Sequence, residues 1–407
     1  MRALARSAAA PQLLCAPGNA GIAADALVLP IAVDDAAGLA DAAVGEGCDL
    51  VVIGPEVPLV AGLADELAAR AINVFGPTAA AARLEGSKEY AKQVMQAAGV
   101  PTARWSAAAD VDAGMAAIES YPVVLKFDGL AAGKGVVIAA DEAEARAALK
   151  AFLVARRFGP GRVVVEEHLA GEELSLLALC DGVRALPLAP AQDYKRIFDG
   201  DAGPNTGGMG SYSPVPGVGA ERVAQITAAV HQPVVDLLRE RGTPFHGVLY
   251  AGIMLTADGP KVLEYNVRFG DPETQAVLPR LRSDAYELLR AATRSGGLEG
   301  VALEFADDWA VTLVLASAGY PAAPRTGDPI AGLDDVPEGI EVTHAGTRRA
   351  GDGAIVTAGG RVLNVTALRA TAASARDAAY AAAHKIDFAG RQLRSDIALR
   401  AVERMGK

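Results

Sequence analysis

The sequence predicts a multidomain chain of mixed α/β and α+β class. Short apolar strands alternate with helices over roughly the first 86 residues, which is the pattern of a parallel sheet in a nucleotide-binding-type domain. A central stretch then carries strands joined by glycine-rich loops, and a strand-rich segment that ends in helices begins near residue 309. The order of elements therefore favours an N-terminal parallel α/β domain, a central α+β region and a β-rich C-terminal domain.

Composition limits the classes of function that this chain can have. Of its 407 residues, 51% are hydrophobic and 21% are charged, which is typical of a folded globular chain and not of a disordered one. The formal net charge of −11 argues against a general nucleic-acid binder, whose footprint is a basic patch. Local lysine and arginine sites for small phosphorylated molecules remain compatible with this charge.

The cysteines and the apolar runs indicate a compartment. Three cysteines with no metal-like spacing fit a reducing cytoplasm better than a disulfide framework. No apolar run approaches the roughly 18 residues of a membrane span, and the N-terminus lacks the apolar core of a signal peptide. We therefore expect a cytoplasmic chain that does not bind membranes.

The N-terminal region alternates between strands and helices. The predicted strands are residues 12–16, 29–33, 49–53 and 73–75, and the predicted helices are residues 2–10, 36–46 and 59–70. The turns Gly54-Pro55-Glu56 and Gly76-Pro77-Thr78 follow two of these strands. Because ligands bind at the carboxyl ends of parallel strands, we expect a binding site at these turns.

In the rest of the chain, the pattern of predicted helices and strands changes twice. The predicted helices are residues 79–99 with a break at residue 86, then 143–152, 221–241, 284–294, 372–385 and 395–404. The predicted strands up to residue 300 are residues 122–126, 135–139, 162–167, 174–179, 185–188, 247–255 and 260–265. We expect a small α+β unit of about 70 residues, followed by an antiparallel region.

The stretch GLAAGKGV, residues 129–136, predicts a phosphate-binding loop that is not a P-loop. Only three residues separate Gly129 from Gly133, Lys134 is followed by Gly135, and a strand comes next instead of a helix. A glycine-rich hairpin of this kind can cover a polyphosphate with its backbone N–H groups, and lysines flank it. The competing interpretation is a mobile hairpin tip that binds nothing.

The strand 162–167 ends in consecutive carboxylates. Backbone after this strand could read an adenine edge, and Glu173 could hold ribose hydroxyls. An ordinary strand end with solvated glutamates is the alternative, and the pattern alone leaves it open.

The densest polar cluster of the chain is KVLEYNVRFGDPETQ, residues 261–275. Glu264 and Asn266 are two residues apart and so face the same side of a strand, and their oxygens suit Mg²⁺. Arg268 falls on the same face if the strand continues, where it can stabilise developing negative charge. Asp271 and Glu273 follow in a turn. The alternative is an edge strand with solvated charges.

Residues 193–214 predict a long functional loop without secondary structure of its own. Its candidate ligand-binding residues are Asp193, Lys195, Arg196, Asn205 and Thr206. The five histidines are scattered, and no serine or cysteine nucleophile motif is present.

Together these motifs resemble a known family. LEGSKEYAK, YPVVLKFDGLAAGKGVVIA, VVVEEHLAGEE, QDYKR, GPNTGGMGSYSP and LEYNVRFGDPETQ are similar, in order and spacing, to the phosphoribosylamine–glycine ligase (glycinamide ribonucleotide synthetase) family of ATP-grasp enzymes. The resemblance implies a Rossmann-like N-terminal domain at residues 1–86, an ATP-grasp domain at 87–295 with a lid at about 106–175, and a β-rich domain at 305–407. Phe127 is larger than the residue that the family usually has there.

The resemblance also implies a reaction of de novo purine synthesis. ATP phosphorylates the carboxylate of glycine, and the amine of phosphoribosylamine attacks the acyl phosphate to give glycinamide ribonucleotide, ADP and phosphate. Alternatives are another ATP-grasp ligase of purine synthesis, which the RFGDPETQ stretch argues against, and a nucleotide-binding protein without ligase activity.

Site residues follow from the same resemblance, position by position. The expected catalytic residues are Arg268, Lys126 and Asp271. The expected ATP-binding residues are Lys88, Lys126, Gly129, Gly133, Lys134, Gly135, Glu166, Leu169 and Glu173. The expected ligands of Mg²⁺ or Mn²⁺ are Glu264 and Asn266. Glycine and phosphoribosylamine are expected at Gly18, Asn19, Gly54, Pro55, Glu56, Asp193, Lys195, Arg196, Asn205, Thr206, Gly207, Gly208 and Asp271. A monomer is compatible with the sequence.

The N-terminus departs from the family pattern. A first strand and a turn of the type Gly-x-Gly-Gly-Arg-Glu-His-Ala-Leu are expected before the APGNAG stretch, and here only Ala3-Leu4 resembles their end. The expectation is a truncated start, most simply a misplaced initiator methionine, with a loosened first domain, impaired or absent ligase activity and preserved ATP binding.

Overall fold

The structure is a computed structural model that describes residues 1–131 and 134–406. The strands, in chain order, are β1 (Leu14–Cys15), β2 (Leu27–Val28), β3 (Leu50–Val52), β4 (Asn73–Phe75), β5 (Trp105–Ala108), β6 (Val123–Phe127), β7 (Val136–Ala139), β8 (Val163–Glu167), β9 (Glu172–Asp181), β10 (Ala185–Pro187), β11 (Gln192–Asp193), β12 (Arg196–Phe198), β13 (Ala202–Asn205), β14 (Gly210–Ser213), β15 (His246–Thr256), β16 (Gly259–Asn266), β17 (Trp309–Ala316), β18 (Ile340–His344), β19 (Thr347–Arg349), β20 (Ile355–Thr357) and β21 (Arg361–Arg369).

Helices lie between these strands and cover their faces. They are α1 (Arg2–Ala5), α2 (Ala36–Gly45), α3 (Glu56–Val60), α4 (Leu63–Ala69), α5 (Ala79–Gly86), α6 (Lys88–Ala97), α7 (Val111–Ala116), α8 (Glu142–Leu149), α9 (Ala220–Val230), α10 (Gln232–Glu240), α11 (Glu273–Val277), α12 (Ala285–Ala292), α13 (Ala372–Ala383) and α14 (Leu399–Met405). Within the described ranges, no helix is both long and apolar enough to cross a membrane.

The N-terminal strands form two parallel pairs, β1 with β2 and β3 with β4, and the two pairs are not hydrogen-bonded to each other. Parallel pairing was predicted correctly, but the strand expected at residues 29–33 lies earlier, at β2. Pro30 explains the difference, because proline has no N–H to donate to a ladder. The helix expected at residues 2–10 is only the four residues of α1.

The helix predicted at residues 59–70 is two helices, α3 and α4. Gly62 separates them with φ of +92°, a left-handed conformation that glycine adopts without strain. Proline plays the equivalent part in the predicted helix 221–241, which breaks at His231, and Pro233 lies in the first turn of α10. His231 is fully buried, and its Nε2 lies 3.1 Å from the carbonyl oxygen of Leu176.

A small antiparallel sheet, β5-β8-β6-β7, runs from Trp105 to Glu167. The assignment of residues 106–175 as a lid stays a prediction. Helices α7 and α8 pack on one face of the sheet. Phe127 is buried there against Phe152 and Phe158, with ring centroids 6.2 and 5.5 Å away. The larger residue at position 127 is therefore part of an aromatic cluster that fills the core of this unit.

A second sheet, β10-β9-β15-β16, forms the centre of the molecule. β9 and β15 pair over ten positions, from His246 opposite Asp181 to Leu255 opposite Glu172. Both strands are buried along most of their length, which explains their nearly continuous apolar sequences. β16 lies at the edge of this sheet and carries Glu264 and Asn266.

The third large sheet, β11-β14-β17-β21-β18, joins strands from the middle of the chain to strands after residue 305. The prediction that residues 193–214 form a long loop without secondary structure was therefore wrong. This segment contains β14 and the hairpin β12–β13, which pairs Arg196 with Asn205. Its glycine and proline content hid these strands, since their register is set by pairing with distant residues such as Val311 opposite Tyr212.

Candidate active site

A cleft of about 1060 Å³ lies between the small sheet, the edge strand β16, the turn after β3 and the start of β21. It collects most of the residues that the sequence singled out: Gly54, Pro55, Glu56, Lys88, Lys126, Lys134, Gly135, Glu166, Leu169, Glu173, Asp193, Lys195, Arg196, Asn205, Thr206, Gly207, Glu264, Asn266, Arg268 and Asp271 all line it. Gly18, Asn19, Gly129 and Gly208 do not line it, and Gly133 lies outside the described residues.

Lys126 belongs to a buried ion cluster at one end of the cleft. Its Nζ lies 2.9 Å from Oε1 of Glu166, and the Nζ of Lys92 lies 2.7 Å from the other oxygen. Both partners of the Lys92–Glu166 pair are only 2% exposed. Burial lowers the pKa of Lys92 to about 8, although Glu166 opposes that shift. Glu166 therefore fixes the side chain of Lys126 at this end of the cleft.

The contacts of Glu166 differ from the expected ones. Its backbone lies inside the ladder, opposite Trp105 on one side and Val124 on the other, so it has no free edge for an adenine ring. The chain leaves the ladder after Glu167, and Leu169 packs there on Met254 beside Leu263. Backbone at His168 and Leu169 is the first that could read a purine edge.

Lys88 is held by the phosphate loop. Its Nζ donates to the carbonyl oxygen of Gly129 at 2.9 Å. The carboxylate of Asp128 accepts hydrogen bonds from Ser87 Oγ at 2.9 Å and from the backbone N–H of Glu89 at 3.1 Å. Burial lowers the pKa of Lys88, although Glu264 opposes that shift. These bonds attach the first turn of α6 to the start of the loop.

Glu264 and Asn266 lie on β16 and face the lysines of the cleft. Burial alone would raise the pKa of Glu264, but Lys195, Lys126 and Lys88 outweigh it and hold the pKa below its usual value. The ammonium group of Lys195 lies 3.9 Å from the carboxylate of Glu264. In the described part of the chain, no group of three or more His, Cys, Asp or Glu side chains could hold a metal ion. Gly252, opposite Glu264, supplies no further carboxylate.

Lys195 links two acidic positions of the cleft. Its Nζ lies 2.9 Å from the carboxylate of Glu173, the predicted ribose ligand, and 3.9 Å from that of Glu264. Burial alone would lower the pKa of Lys195, but Glu173 and Asp193 raise it well above its ordinary value. Lys195 therefore remains a cation between the predicted ribose and metal positions.

Arg268 is fixed between two carboxylates. Its Nε donates to Glu56 and one Nη donates to Glu85, each at 3.1 Å. Glu85 also accepts the backbone N–H of Val267 at 2.7 Å. Burial raises the pKa of Glu85 to about 7, against the opposing effect of Arg268. The Arg268–Glu56 ion pair connects the turn after β3 with the segment that follows β16.

The side chain of Asn19 is engaged in hydrogen bonds with the backbone. Its side-chain nitrogen donates to the carbonyl oxygens of His344 and Ala345 at 2.6 and 3.2 Å, and its oxygen accepts two backbone N–H groups from Gly21 and Ile22. The side chain therefore ties the turn after β1 to β18. The substrate contact predicted for Gly18 and Asn19 stays a prediction.

Comparison with protein-family models covers almost the whole chain. Residues 1–85 match the N domain of phosphoribosylglycinamide synthetase, residues 86–274 match its ATP-grasp (A) domain, and residues 310–400 match its C domain. The chain belongs to the phosphoribosylglycinamide synthetase family. It is an ATP-grasp ligase of multidomain α/β and α+β fold, as the sequence predicted.

Relatives with curated names agree with this assignment. A "Phosphoribosylamine--glycine ligase" of Streptomyces coelicolor is 52% identical over 397 residues, covering 96% of this chain and 93% of the relative. One of Leifsonia xyli is 51% identical, covering 98% of this chain and 96% of the relative. These relatives give no support to the reading of the chain as an ATP-binding protein that lacks ligase activity.

Solved structures confirm the fold. The crystal structure of phosphoribosylamine–glycine ligase from Thermotoga maritima has a TM-score of 0.81 and 35% identity, over 97% of this chain and 96% of that one. The biotin carboxylase domain of the Hydrogenobacter thermophilus 2-oxoglutarate carboxylase has a TM-score of 0.72 at 17% identity, over 96% of this chain and 88% of that one. The second likeness concerns the fold alone.

Sequence reasoning missed several residues of the synthetase cleft, four of which have polar or charged side chains that matter for the site. Lys92, Glu85, Tyr320 and Arg361 all line it. Glu85 lies on α5 and Lys92 on α6, on either side of the GSK stretch. A charged residue on the apolar face of a predicted helix could have indicated that each belongs to the site. Tyr320 and Arg361 come from the C-terminal region, and no local pattern connected them with the cleft.

Proposed function

We propose that this protein joins glycine to phosphoribosylamine at the expense of ATP, through a glycyl phosphate intermediate. The observation that carries the proposal is the convergence of Lys88, Lys126, Glu264 and Arg268 on one cleft. This is a set of charges suited to phosphoryl transfer, and the family assignment supplies the substrates. The products are glycinamide ribonucleotide, ADP and phosphate.

The residues present suit a reaction without a covalent nucleophile on the protein. A carboxylate becomes an acyl donor when it is phosphorylated, and that transfer depends on alignment and charge neutralisation. Lys88 and Lys126 would neutralise the phosphates of ATP, and Arg268 would stabilise the charge that develops on the transferred group. The amine of phosphoribosylamine then attacks the acyl carbon, and phosphate leaves.

Divalent metal binding fits the donor set of β16. A carboxylate and an amide oxygen are hard ligands, and Mg²⁺ completes its shell with phosphate oxygens and water when the protein supplies few ligands. Glu264 and Asn266 would hold Mg²⁺ or Mn²⁺, which would neutralise phosphate charge there. The lowered pKa of Glu264 keeps its carboxylate ionised for this purpose.

The adenosine end would lie near the small sheet. Lys134 and Gly135 line the cleft on the loop side and would cover the phosphates, while Leu169 would contact the base. Glu173 would accept the ribose hydroxyls, in competition with its present partner Lys195. Glycine and phosphoribosylamine would occupy the part of the cleft between Glu56 and Asp271.

All three cysteines are free thiols in this structure, which accords with the proposed cytoplasmic location. The proposed partners are small molecules only.

Phosphate release measured with single substrates omitted tests the proposal. We expect ADP formation that requires both glycine and phosphoribosylamine. Activity that depends on formate or bicarbonate and not on glycine would assign the chain to another ligase reaction. Calorimetric binding of ATP with Mg²⁺, without any glycine-dependent ADP formation, would leave only a nucleotide-binding function.

A further inference from the structure

The bend at Gly207–Gly208, between β13 and β14, is held on both of its backbone groups by side chains from the C-terminal region. The N–H of Gly207 donates to the hydroxyl oxygen of Tyr320 at 2.9 Å. The guanidinium of Arg361 donates to the carbonyl oxygen of Gly207 at 2.5 Å. Each of the two peptide units that flank the α-carbon of Gly207 is therefore held by a side chain, which restricts rotation about that α-carbon.

Arg361 also reaches the turn that follows Arg268. One Nη donates to the backbone oxygen of Asp271 at 2.8 Å, and the other lies 3.0 Å from its carboxylate. The planar fork of an arginine is suited to such a junction, because its donors point to two segments from one rigid plane. Arg361 thus joins Gly207 and Asp271, which are far apart in sequence.

Three glycines make these contacts possible. A Cβ on Gly207 would lie 2.9 Å from Cζ of Arg361, and a Cβ on Gly208 would lie 2.4 Å from Cδ of Pro272. A Cβ on Gly360 would lie 2.2 Å from the ring of Tyr320. Glycine at positions 207 and 360 leaves room for the side chains of Arg361 and Tyr320, and glycine at position 208 leaves room for Pro272 in the Asp271 turn.

We propose that Arg361 and Tyr320 are positioning residues that hold the Gly207–Gly208 bend against the Asp271 turn and thereby set the affinity for glycine. The inference rests on the proposed function. Asp271 follows Arg268 by three residues, so the braced turn borders the place where the carboxylate of glycine is phosphorylated. Neither Arg361 nor Tyr320 bonds to the lysines that would bind ATP. Their effect on affinity is therefore confined to the acceptor side of the cleft, which is the part between Glu56 and Asp271 where glycine and phosphoribosylamine would bind.

Steady-state kinetics of three variants test this inference. Arg361→Lys keeps the charge but loses the fork, and we expect the KM for glycine to rise about tenfold, since hydrogen bonds from a charged group are lost. Tyr320→Phe removes one neutral hydrogen bond and should raise the same KM about threefold. The KM for ATP should stay within about twofold in both variants. Arg369→Gln, at the other end of β21, is the control, because Nη1 of Arg369 bonds the carbonyl oxygen of its neighbour Leu368.

Hydrogen exchange provides a readout that does not need turnover. In the ligand-free protein, the Gly207 amide should exchange faster in Tyr320→Phe and in Arg361→Lys than in the parent or in Arg369→Gln. Unchanged exchange at Gly207 together with an unchanged KM for glycine would overturn the inference, and so would an equal rise in KM for glycine and for ATP. A parent protein without glycine-dependent turnover would instead refute the proposed function. The exchange rates would still decide whether Arg361 and Tyr320 hold the Gly207–Gly208 bend.

Discussion

Glu264 is the residue on which the proposed chemistry depends most directly. Glu264→Ala should lower ADP formation by more than about 100-fold, because a metal ligand and a charge that faces three lysines are lost together. The side chain is 34% exposed, so the fold should survive. Activity and thermal unfolding should be measured side by side, with Asp258→Asn in the turn of the same hairpin as control. Unfolding of Glu264→Ala at room temperature would contradict the ligand role.

The raised pKa of Glu85 predicts that the free energy of unfolding depends on pH. Its pKa is about 7 in the folded chain, above the ordinary value near 4.5, so the folded state binds the extra proton between these values. Its contribution to stability is therefore complete below pH 4.5 and is lost as the pH rises through 7. From pH 5 to pH 8 the parent should lose about 3 kcal/mol relative to Glu85→Gln, whose side chain has no proton to lose.

Urea unfolding of the parent and of Glu85→Gln at several pH values measures this difference. The charged neighbours of Glu85 are Arg268, Glu56 and Glu264, and they are common to both proteins. A difference in unfolding free energy that does not vary with pH would refute the raised pKa.

Sequence reasoning placed Glu264 and Asn266 on one strand, where a period of two predicts a shared face, and both lie on β16. Arg268 was expected on the same face if the strand continued, but β16 ends at Asn266 and Arg268 lies beyond it. Sequence reasoning could not find Arg361, because the contact of Arg361 with Asp271 joins residues 90 positions apart. It also did not predict the ion pairs of Glu166 with Lys92 and Lys126, since the burial of a carboxylate between two lysines depends on packing that no local pattern records.

Among the elements, helix α6 connects stability with ATP binding. Ser87 caps it, accepting the N–H of Tyr90 at 3.1 Å, and also donates to Asp128 beside the phosphate loop. Ser87→Ala should cost about 1 kcal/mol of stability, the usual value for an N-cap, and should also raise the KM for ATP because Lys88 is next in the chain.

Thr371→Ala is the matched control for that variant. Thr371 caps α13, where its Oγ1 accepts the N–H of Ser374 at 3.1 Å, and does not line the cleft. It should lose a similar amount of stability in urea unfolding with no change in the KM for ATP. Equal effects of the two variants on that KM would show that the cap of α6 has no particular part in binding.

Elements with strong apolar patterns were predicted closely. β4 has the predicted bounds, β6 is shifted by one residue and β8 begins one residue later than predicted, because buried strands leave a clear apolar run. The four short strands between residues 192 and 213 were missed for the opposite reason. They are rich in glycine, proline and polar residues. β11 and β14 join a sheet through the C-terminal strand β17, whereas β12 and β13 pair only with each other.

At the scale of the whole molecule, the five-stranded sheet predicts cooperative unfolding of the middle and the end of the chain. Trp309 and Trp105 are the two tryptophans, and Trp309 is buried in that sheet. In Trp105→Phe, the fluorescence of Trp309 should change at the same denaturant concentration as the far-ultraviolet circular dichroism. A separate, earlier fluorescence transition would show that the C-terminal strands unfold independently.

That sheet also has a consequence for how the protein is made. β14 leaves the ribosome about 100 residues before β17, the strand that pairs with it directly. At roughly 5–20 residues per second, β14 therefore waits about 5–20 s with one edge uncovered. During synthesis the nascent chain exposes a hydrogen-bonding edge in its middle, which chaperones could bind. The acceptor side of the cleft acquires its final shape only near the end of translation.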